Sequence, residues 1–292
     1  MAKIIDGKAT AASLREELKM QVHRDVSSGM RSPVLAVVLV GNDPASVSYV
    51  TGKHKACDEV GIISRDMHLE ASTDEAELLR LVDELNRDAG VDGILVQLPL
   101  PPHINEDRVV LSIAPEKDVD GFHPVSLGKL MIGMAGFLPC TPNGIVELMV
   151  RNSITLEGKH VCIVGRSNIV GKPLANLLLA KSPRGNATVT VCHSRSGDLS
   201  RYTREADILI AAVGKPQVIT AEMIKPGAVV IDVGVNRVDD SSKKRGYRLV
   251  GDVDFEGACA VASMITPVPG GVGPMTIAML MHNTVTSWKR CR

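Results

Sequence analysis

Aromatic side chains are nearly missing from this 292-residue chain, which has one tryptophan, three tyrosines and three phenylalanines. Aliphatic side chains must therefore fill its cores, and each tyrosine is set apart for scrutiny. Net charge is absent as well: 33 basic residues balance 33 acidic ones, so no overall field draws the chain to nucleic acid or to an anionic membrane surface. Long apolar runs are lacking. Val34 to Val40 and Val229 to Val233 are among the longest, far short of the roughly 20 residues a spanning helix needs. The N-terminus has no charged segment followed by an apolar one, and a cytoplasmic location is expected. Six cysteines (Cys57, Cys140, Cys162, Cys192, Cys259 and Cys291) include no C-x-x-C pair, and no histidine cluster has metal-ligand spacing. Free buried thiols are expected rather than disulfides, and no metal is expected. Internal repeats and low-complexity segments are also missing.

What is present is a chain long enough for two domains, 45% hydrophobic, in which apolar runs alternate with helical patterns. Leu14, Leu18 and Val22 mark a helix over Ala9 to Val26. Pro33 to Val40 reads as a buried strand broken by Gly41-Asn42-Asp43-Pro44, with helices over Ala45 to Val60 and Asp74 to Ala89 and a second strand over Gly93 to Pro102. Strand candidates return at His160 to Val164, Thr188 to Val191, Ile208 to Ala211 and Val229 to Val233. The fold class expected is α/β, with two α/β domains, the second a Rossmann-type doubly wound parallel sheet, and a cleft between them. A Gly- and Pro-rich linker over Gly133 to Pro142, followed by a helix from Asn143 to Val150, sets the boundaries. They are a substrate domain over 1–142, a nucleotide domain over 143–274, and a last helix over 275–292 packing back on the first domain.

The most informative loop is Val164-Gly165-Arg166-Ser167-Asn168-Ile169-Val170-Gly171. An apolar run breaking on glycine into a helix start is how a dinucleotide pyrophosphate is held. The match to G-x-G-x-x-G is imperfect, since Ser167 stands at the second glycine and the third comes one position late. The end of the next strand adds weight: Cys192-His193-Ser194-Arg195 offers hydroxyl and cation rather than an acid. That favours a 2′-phosphate, hence NADP over NAD. Glycine loops at Gly214 and Gly234-Val235 follow two further strands and should border the nicotinamide half.

In the first half, Tyr49 and Lys53 sit four residues apart on one helix face. Short-chain dehydrogenases carry such a pair after their cofactor loop, whereas here it precedes the loop, which excludes that reading. With Val96-Gln97-Leu98-Pro99, Asp118-Val119-Asp120-Gly121, Pro139-Cys140-Thr141-Pro142 and Thr266-Pro-Val-Pro269-Gly270-Gly271-Val-Gly-Pro274, the chain resembles the bifunctional methylenetetrahydrofolate dehydrogenase/methenyltetrahydrofolate cyclohydrolases over nearly its whole length.

That resemblance implies a homodimer that oxidises 5,10-methylenetetrahydrofolate with NADP and hydrolyses the product to 10-formyltetrahydrofolate. It makes Lys53 the catalytic lysine, with Gln97 hydrogen-bonded to its amine, Tyr49 against the aminobenzoate ring and Asp120 facing the pterin. Leu98, Pro269, Gly270 and Gly271 join the folate site. Gly165, Arg166, Ser167, Ile169, Val170, Ser194, Arg195, Gly214, Val235 and Thr276 are the cofactor residues. Asp118 is expected to be structural, because residues two apart seldom point to one site. The segment Lys181 to Asn186 is longer than in the shortest relatives, a feature of some NAD-using members; His193-Ser194-Arg195 resembles the NADP users. Two competing readings are a dehydrogenase with little cyclohydrolase activity and a non-catalytic nucleotide sensor. Lys53 with Gln97 opposes the first, and retention of Lys53, Asp120 and the Gly165 turn opposes the second.

Overall fold

The computed structural model describes residues 1–243 and 246–290. A two-residue strand, β1 (Lys3–Ile4), precedes α1 (Gly7–Ser27), on which Leu14, Leu18 and Val22 are buried. The apolar run Val34–Val40 is β2, buried at every position as a central strand covered on both faces should be. Next comes α2 (Pro44–Val60). The Asp43 carboxylate accepts from Ser46 N at its start, Pro44 occupies its first turn, and Gly61 closes it at φ 88°. Strand β3 (Ile63–Leu69), helix α3 (Glu75–Arg87) and strand β4 (Gly93–Val96) complete a parallel sheet of order β3-β2-β4. Leu78, Val82 and Leu85 form the buried stripe of α3 and share a core with β2 and β4. Three helices follow, α4 (Glu106–Ser112), α5 (Pro124–Met131) and α6 (Cys140–Arg151).

The second half continues with β5 (His160–Val164), α7 (Gly171–Leu179), β6 (Thr188–Cys192), α8 (Ser200–Thr203), β7 (Ile208–Ala211) and β8 (Val229–Asp232). An antiparallel hairpin of β9 (Asn236–Asp239) and β10 (Tyr247–Val250), then α9 (Phe255–Val261), β11 (Met264–Ile265) and α10 (Val272–Arg290) end it. These strands and β1 build a six-stranded sheet of order β1-β11-β8-β7-β5-β6, parallel throughout. From β5 the chain passes first to β6 on one side and then to β7 on the other. The gap beyond the carboxyl ends of β5 and β7 is therefore the topological switch point where such sheets bind ligands.

Two compact units result. The six-stranded unit holds Met1–Ala11 and Thr141–Thr276, and the three-stranded unit holds Ala12–Cys140 with residues 277–290. Residues 1–11 thus fall with the nucleotide half rather than with the first domain, because β1 pairs with β11. Other differences are local. The strand expected over 93–102 ends at Val96, since its ladder stops with Gln97 N on Val38 O and Pro99 has no N–H to offer. The helix expected from Asn143 starts at Cys140. Strand β3 and the β9–β10 hairpin were not expected from the sequence, because their exposed, charged stretches lack an apolar run. Cys57, Cys140, Cys162, Cys192 and Cys259 are free thiols; Cys291 lies outside the described residues. Among the described residues no helix is long and apolar enough to cross a membrane.

Candidate active site

In the three-stranded unit, α2 carries Tyr49 and Lys53 one turn apart, Tyr49 45% exposed and Lys53 buried. Lys53 Nζ donates to Gln97 Oε1 at 2.8 Å, and Gln97 Nε2 donates to the Leu98 carbonyl, so the residue just past β4 is held at both ends of its amide. Burial pushes the Lys53 ammonium below the ordinary lysine range, and the nearby Asp120 carboxylate partly opposes that shift. The same burial pushes the Asp120 carboxyl up, and Lys53 pulls it back. Lys53, Gln97 and Asp120 are thus gathered into one site from three separate segments. An amine whose pKa is lowered by burial, set beside a carboxyl, gives up its proton more readily than an exposed lysine and can take one back.

Asp120 is presented by a loop that Asp118 folds. The buried Asp118 carboxylate accepts from the N–H groups of Gly121, Phe122 and His123 and from Ser126 Oγ, at 2.9–3.2 Å. Desolvation nevertheless raises its pKa to about 6. Two residues of this neighbourhood were not expected to belong to the site. The Cys140 thiol reaches the Val119 carbonyl at 3.3 Å and the Asp120 carboxyl, and Cys140 N donates to Asp120 O. From α10, the Asn283 amide donates to Val119 O at 2.8 Å and Leu138 O at 2.9 Å. Cys140 belongs to the Pro139-Cys140-Thr141-Pro142 segment, but Asn283 lies 164 positions from Val119 and has no local signal.

In the six-stranded unit, Gly165 follows β5 at φ 135°, and a Cβ there would run into the Ala212 carbonyl beyond β7. A Cβ on Gly171 would meet the backbone of Gly165 and Arg166. The loop is therefore a glycine-only close approach at the switch point, the cradle that a pyrophosphate requires. Ser167 fits as well as a glycine here because its Oγ accepts from Val170 N and Gly171 N at the start of α7. Ile169 is exposed and Val170 half-buried. The Arg166 and Arg195 side chains are exposed, with no ion pair among the described residues. The turn after β6 is held by His193 N on Ser196 Oγ and Arg195 N on His193 Nδ1, which leaves Ser194 and Arg195 outward. Gly214 sits at φ 70° and Val235 is exposed. Thr276 Oγ1 pairs with Thr141 Oγ1 at 2.9 Å.

Pro269, Gly270 and Gly271 belong to this unit and not to the one that holds Lys53. The Gly270 carbonyl accepts from Lys8 N, and Gly7 packs so closely on Gly271 that a Cβ on Gly7 would overlap its carbonyl. No group of His, Cys, Asp and Glu among the described residues has the arrangement of a metal site.

Residues 5–120 match the catalytic domain of tetrahydrofolate dehydrogenase/cyclohydrolase, and residues 139–292 match the NAD(P)-binding domain of the same family. The chain belongs to that family. Among curated proteins, the bifunctional protein FolD of Exiguobacterium sibiricum is 58% identical over 99% of this chain and 100% of its own. Among solved structures, the bifunctional enzyme from Campylobacter jejuni is 51% identical with a TM-score of 0.92, covering 99% of both chains. The Trypanosoma brucei dehydrogenase-cyclohydrolase, solved with NADP and an inhibitor, is 41% identical with a TM-score of 0.92 over 99% of this chain and 98% of that one. This enzyme is a tetrahydrofolate dehydrogenase/cyclohydrolase with an NAD(P)-binding domain.

Proposed function

We propose that the enzyme oxidises 5,10-methylenetetrahydrofolate to 5,10-methenyltetrahydrofolate with NADP and then hydrolyses that cation to 10-formyltetrahydrofolate, using Lys53, Gln97, Asp120 and Tyr49. The observation that carries this is the buried Lys53 amine, 2.8 Å from Gln97 and electrostatically coupled to Asp120. NADP, when bound, accepts the hydride from the one-carbon bridge. The protein's part in that reaction is alignment. The Gly165–Val170 loop receives the pyrophosphate, Ser194 and Arg195 the 2′-phosphate, and Arg166 lies beside them. Gly214, Val235 and Thr276 serve the nicotinamide side.

Hydrolysis uses the lysine. Neutral Lys53 takes a proton from the water whose oxygen adds to the one-carbon centre, then returns it to N5 as the carbon–N5 bond breaks. The second water proton leaves for solvent as the formyl carbonyl forms. Asp120 accepts from the pterin N–H groups and fixes the ring, while Tyr49 offers an exposed aromatic face to the aminobenzoate. Leu98, Pro269, Gly270 and Gly271 contribute backbone to the folate site. In this reading the substrate domain covers 1–142, with residues 1–11 packed into the six-stranded unit through β1, the nucleotide domain covers 143–274, and helix 275–292 returns to the first. The last point draws support from the Asn283 contacts with Val119 and Leu138.

The same reading makes the protein a cytoplasmic homodimer. In its support, β6 is an edge strand of the six-stranded sheet with Val191 36% exposed, a template for pairing. Cys162 and Cys192 are also free thiols in hydrogen-bond contact at 3.9 Å rather than a disulfide, as suits a reducing compartment. The test follows methenyltetrahydrofolate absorbance. The purified protein should form it from methylenetetrahydrofolate with NADP, much faster than with NAD, and should speed its hydrolysis without nucleotide. Failure of either arm overturns the corresponding half of the reading, and sedimentation as a monomer at working concentration overturns the dimer.

A further inference from the structure

Behind the two glycine loops of the six-stranded unit lies a pair of buried carboxylates, Asp232 at the end of β8 and Asp252 just after β10. Asp252 Oδ2 accepts from Val213 N at 2.5 Å and Gly214 N at 2.9 Å; its Oδ1 accepts from Lys215 N at 3.0 Å and Asn236 Nδ2 at 2.9 Å. Three consecutive N–H groups of the loop after β7 thus converge on one carboxylate, which also ties down the segment entering β9. Asp252 is itself held, since Asp252 N and Gly234 N donate to Asp232 Oδ1 and Val253 N donates to Asp232 Oδ2. Glycines make this interlock possible: a Cβ on Gly234 would overlap the Asp252 carboxylate, and one on Gly251 would overlap that of Asp232. Two carboxylates packed together, with no lysine or arginine among the described residues bonded to either, are costly, and burial together with Asp252 holds the Asp232 carboxyl up at about 6. A cheaper neutral side chain could have filled the space. What a carboxylate adds is four donors gathered onto two oxygens.

We propose that Asp252 is a positioning residue for hydride transfer, setting the Val213–Lys215 and Gly234–Asn236 loops on which the nicotinamide end of the dinucleotide rests. This depends on the reading above that Gly214 and Val235 border the nicotinamide. An amide at 252 keeps the shape but leaves one pair of donors without an acceptor whichever way it is turned. The loops then lose their fixed spacing beyond β7 and β8, while Lys53, Gln97 and Asp120 belong to the other unit.

The test compares both reactions in the full-length protein. Asp252→Asn should lower dehydrogenase kcat/KM by about ten- to a hundredfold, through both NADP KM and kcat. Nucleotide-free cyclohydrolase should stay within about twofold of the parent. Asn236→Ala, which removes one donor and spares the carboxylate, should show the same selectivity in milder form, and serves alone if Asp252→Asn does not fold. Equal losses in both reactions, or no loss in the dehydrogenase, overturn the proposal. Val235→Asp separates the two levels of inference. If it leaves NADP kinetics unchanged, the placement of the loops has failed and the proposal with it. If it impairs them while Asp252→Asn and Asn236→Ala do not, only the role of Asp252 is lost.

Discussion

Lys53 Nζ donates to Gln97 Oε1 across 2.8 Å, although the two residues are 44 positions apart and lie on different elements. A buried lysine normally carries a large penalty for its charge, and here burial lowers the pKa while the partner is a neutral amide that demands no charge. The amine is thereby placed to work as a base.

Lys53→Met keeps the stem and removes the amine. Cyclohydrolase activity should fall by about 10²- to 10⁴-fold, the usual worth of general acid–base catalysis, while NADP binding measured by equilibrium titration survives. Retained hydrolysis in this variant removes Lys53 from its proposed role.

The pH profile follows from the signs of the shifts. With its pKa lowered from 10.5, Lys53 becomes neutral at lower pH than an exposed lysine, so the cyclohydrolase rate should rise with pH and level off at lower pH than an ordinary lysine would give. The Asp120 carboxylate stabilises the ammonium and so raises that pKa. Asp120→Asn removes the negative charge, and the rising limb of the residual rate should move to lower pH as the maximum falls. A limb displaced upward contradicts the coupling.

Arg195 is exposed and has no ion pair among the described residues, so its guanidinium is available to a phosphate. Arg195→Ala should weaken NADP by about ten- to a hundredfold, the range for a charge-assisted hydrogen bond, with little change for NAD. Steady-state KM values for the two nucleotides decide it, and equal losses mean that Arg195 does not meet the 2′-phosphate.

At Gly165 a methyl group meets the Ala212 carbonyl, and φ 135° is unfavourable to any L side chain. Gly165→Ala should cost about 1–3 kcal/mol of stability and raise the NADP KM. Thermal denaturation together with nucleotide titration measures both. An unaltered melting temperature speaks against the close approach.

Asn283 anchors the peptide that precedes Asp120. Asn283→Leu takes the amide donor from the Leu138 carbonyl and leaves the Val119 carbonyl only the weak Cys140 thiol, which should destabilise the protein by about 1–3 kcal/mol. Folate KM should rise more than NADP KM, since Asp120 faces the substrate in the proposed site. Parallel KM changes indicate a role in folding alone.

The chain's own pattern was enough to announce the alternating α/β order, the parallel strands and the glycine turn after β5. These depend on local chemistry: apolar runs such as Val34–Val40, a cap at Asp43, a glycine where φ must be positive. Tyr49, Lys53, Gln97 and Asp120 could be named through their segments, each carrying its own signature. Strand β3 escaped notice because an edge strand with Arg65 and Asp66 in it shows no apolar run. The pairing of β1 with β11 has no local signal, because two residues contain too little pattern to reveal a partner more than 250 positions away.

By itself the sequence determined most of the strands and helices and supplied the candidate site residues, because those patterns reside in each residue and its near neighbours. Only the tertiary structure decided that Lys53 meets Gln97 and Asp120, that Gly165 meets Ala212, and that Asp252 gathers the N–H groups of a loop nearly forty positions earlier. Such contacts join groups that attract, repel or desolvate one another only once the chain has brought them together. The same burial shifts the Lys53 amine and its carboxylate neighbour out of their ordinary ranges.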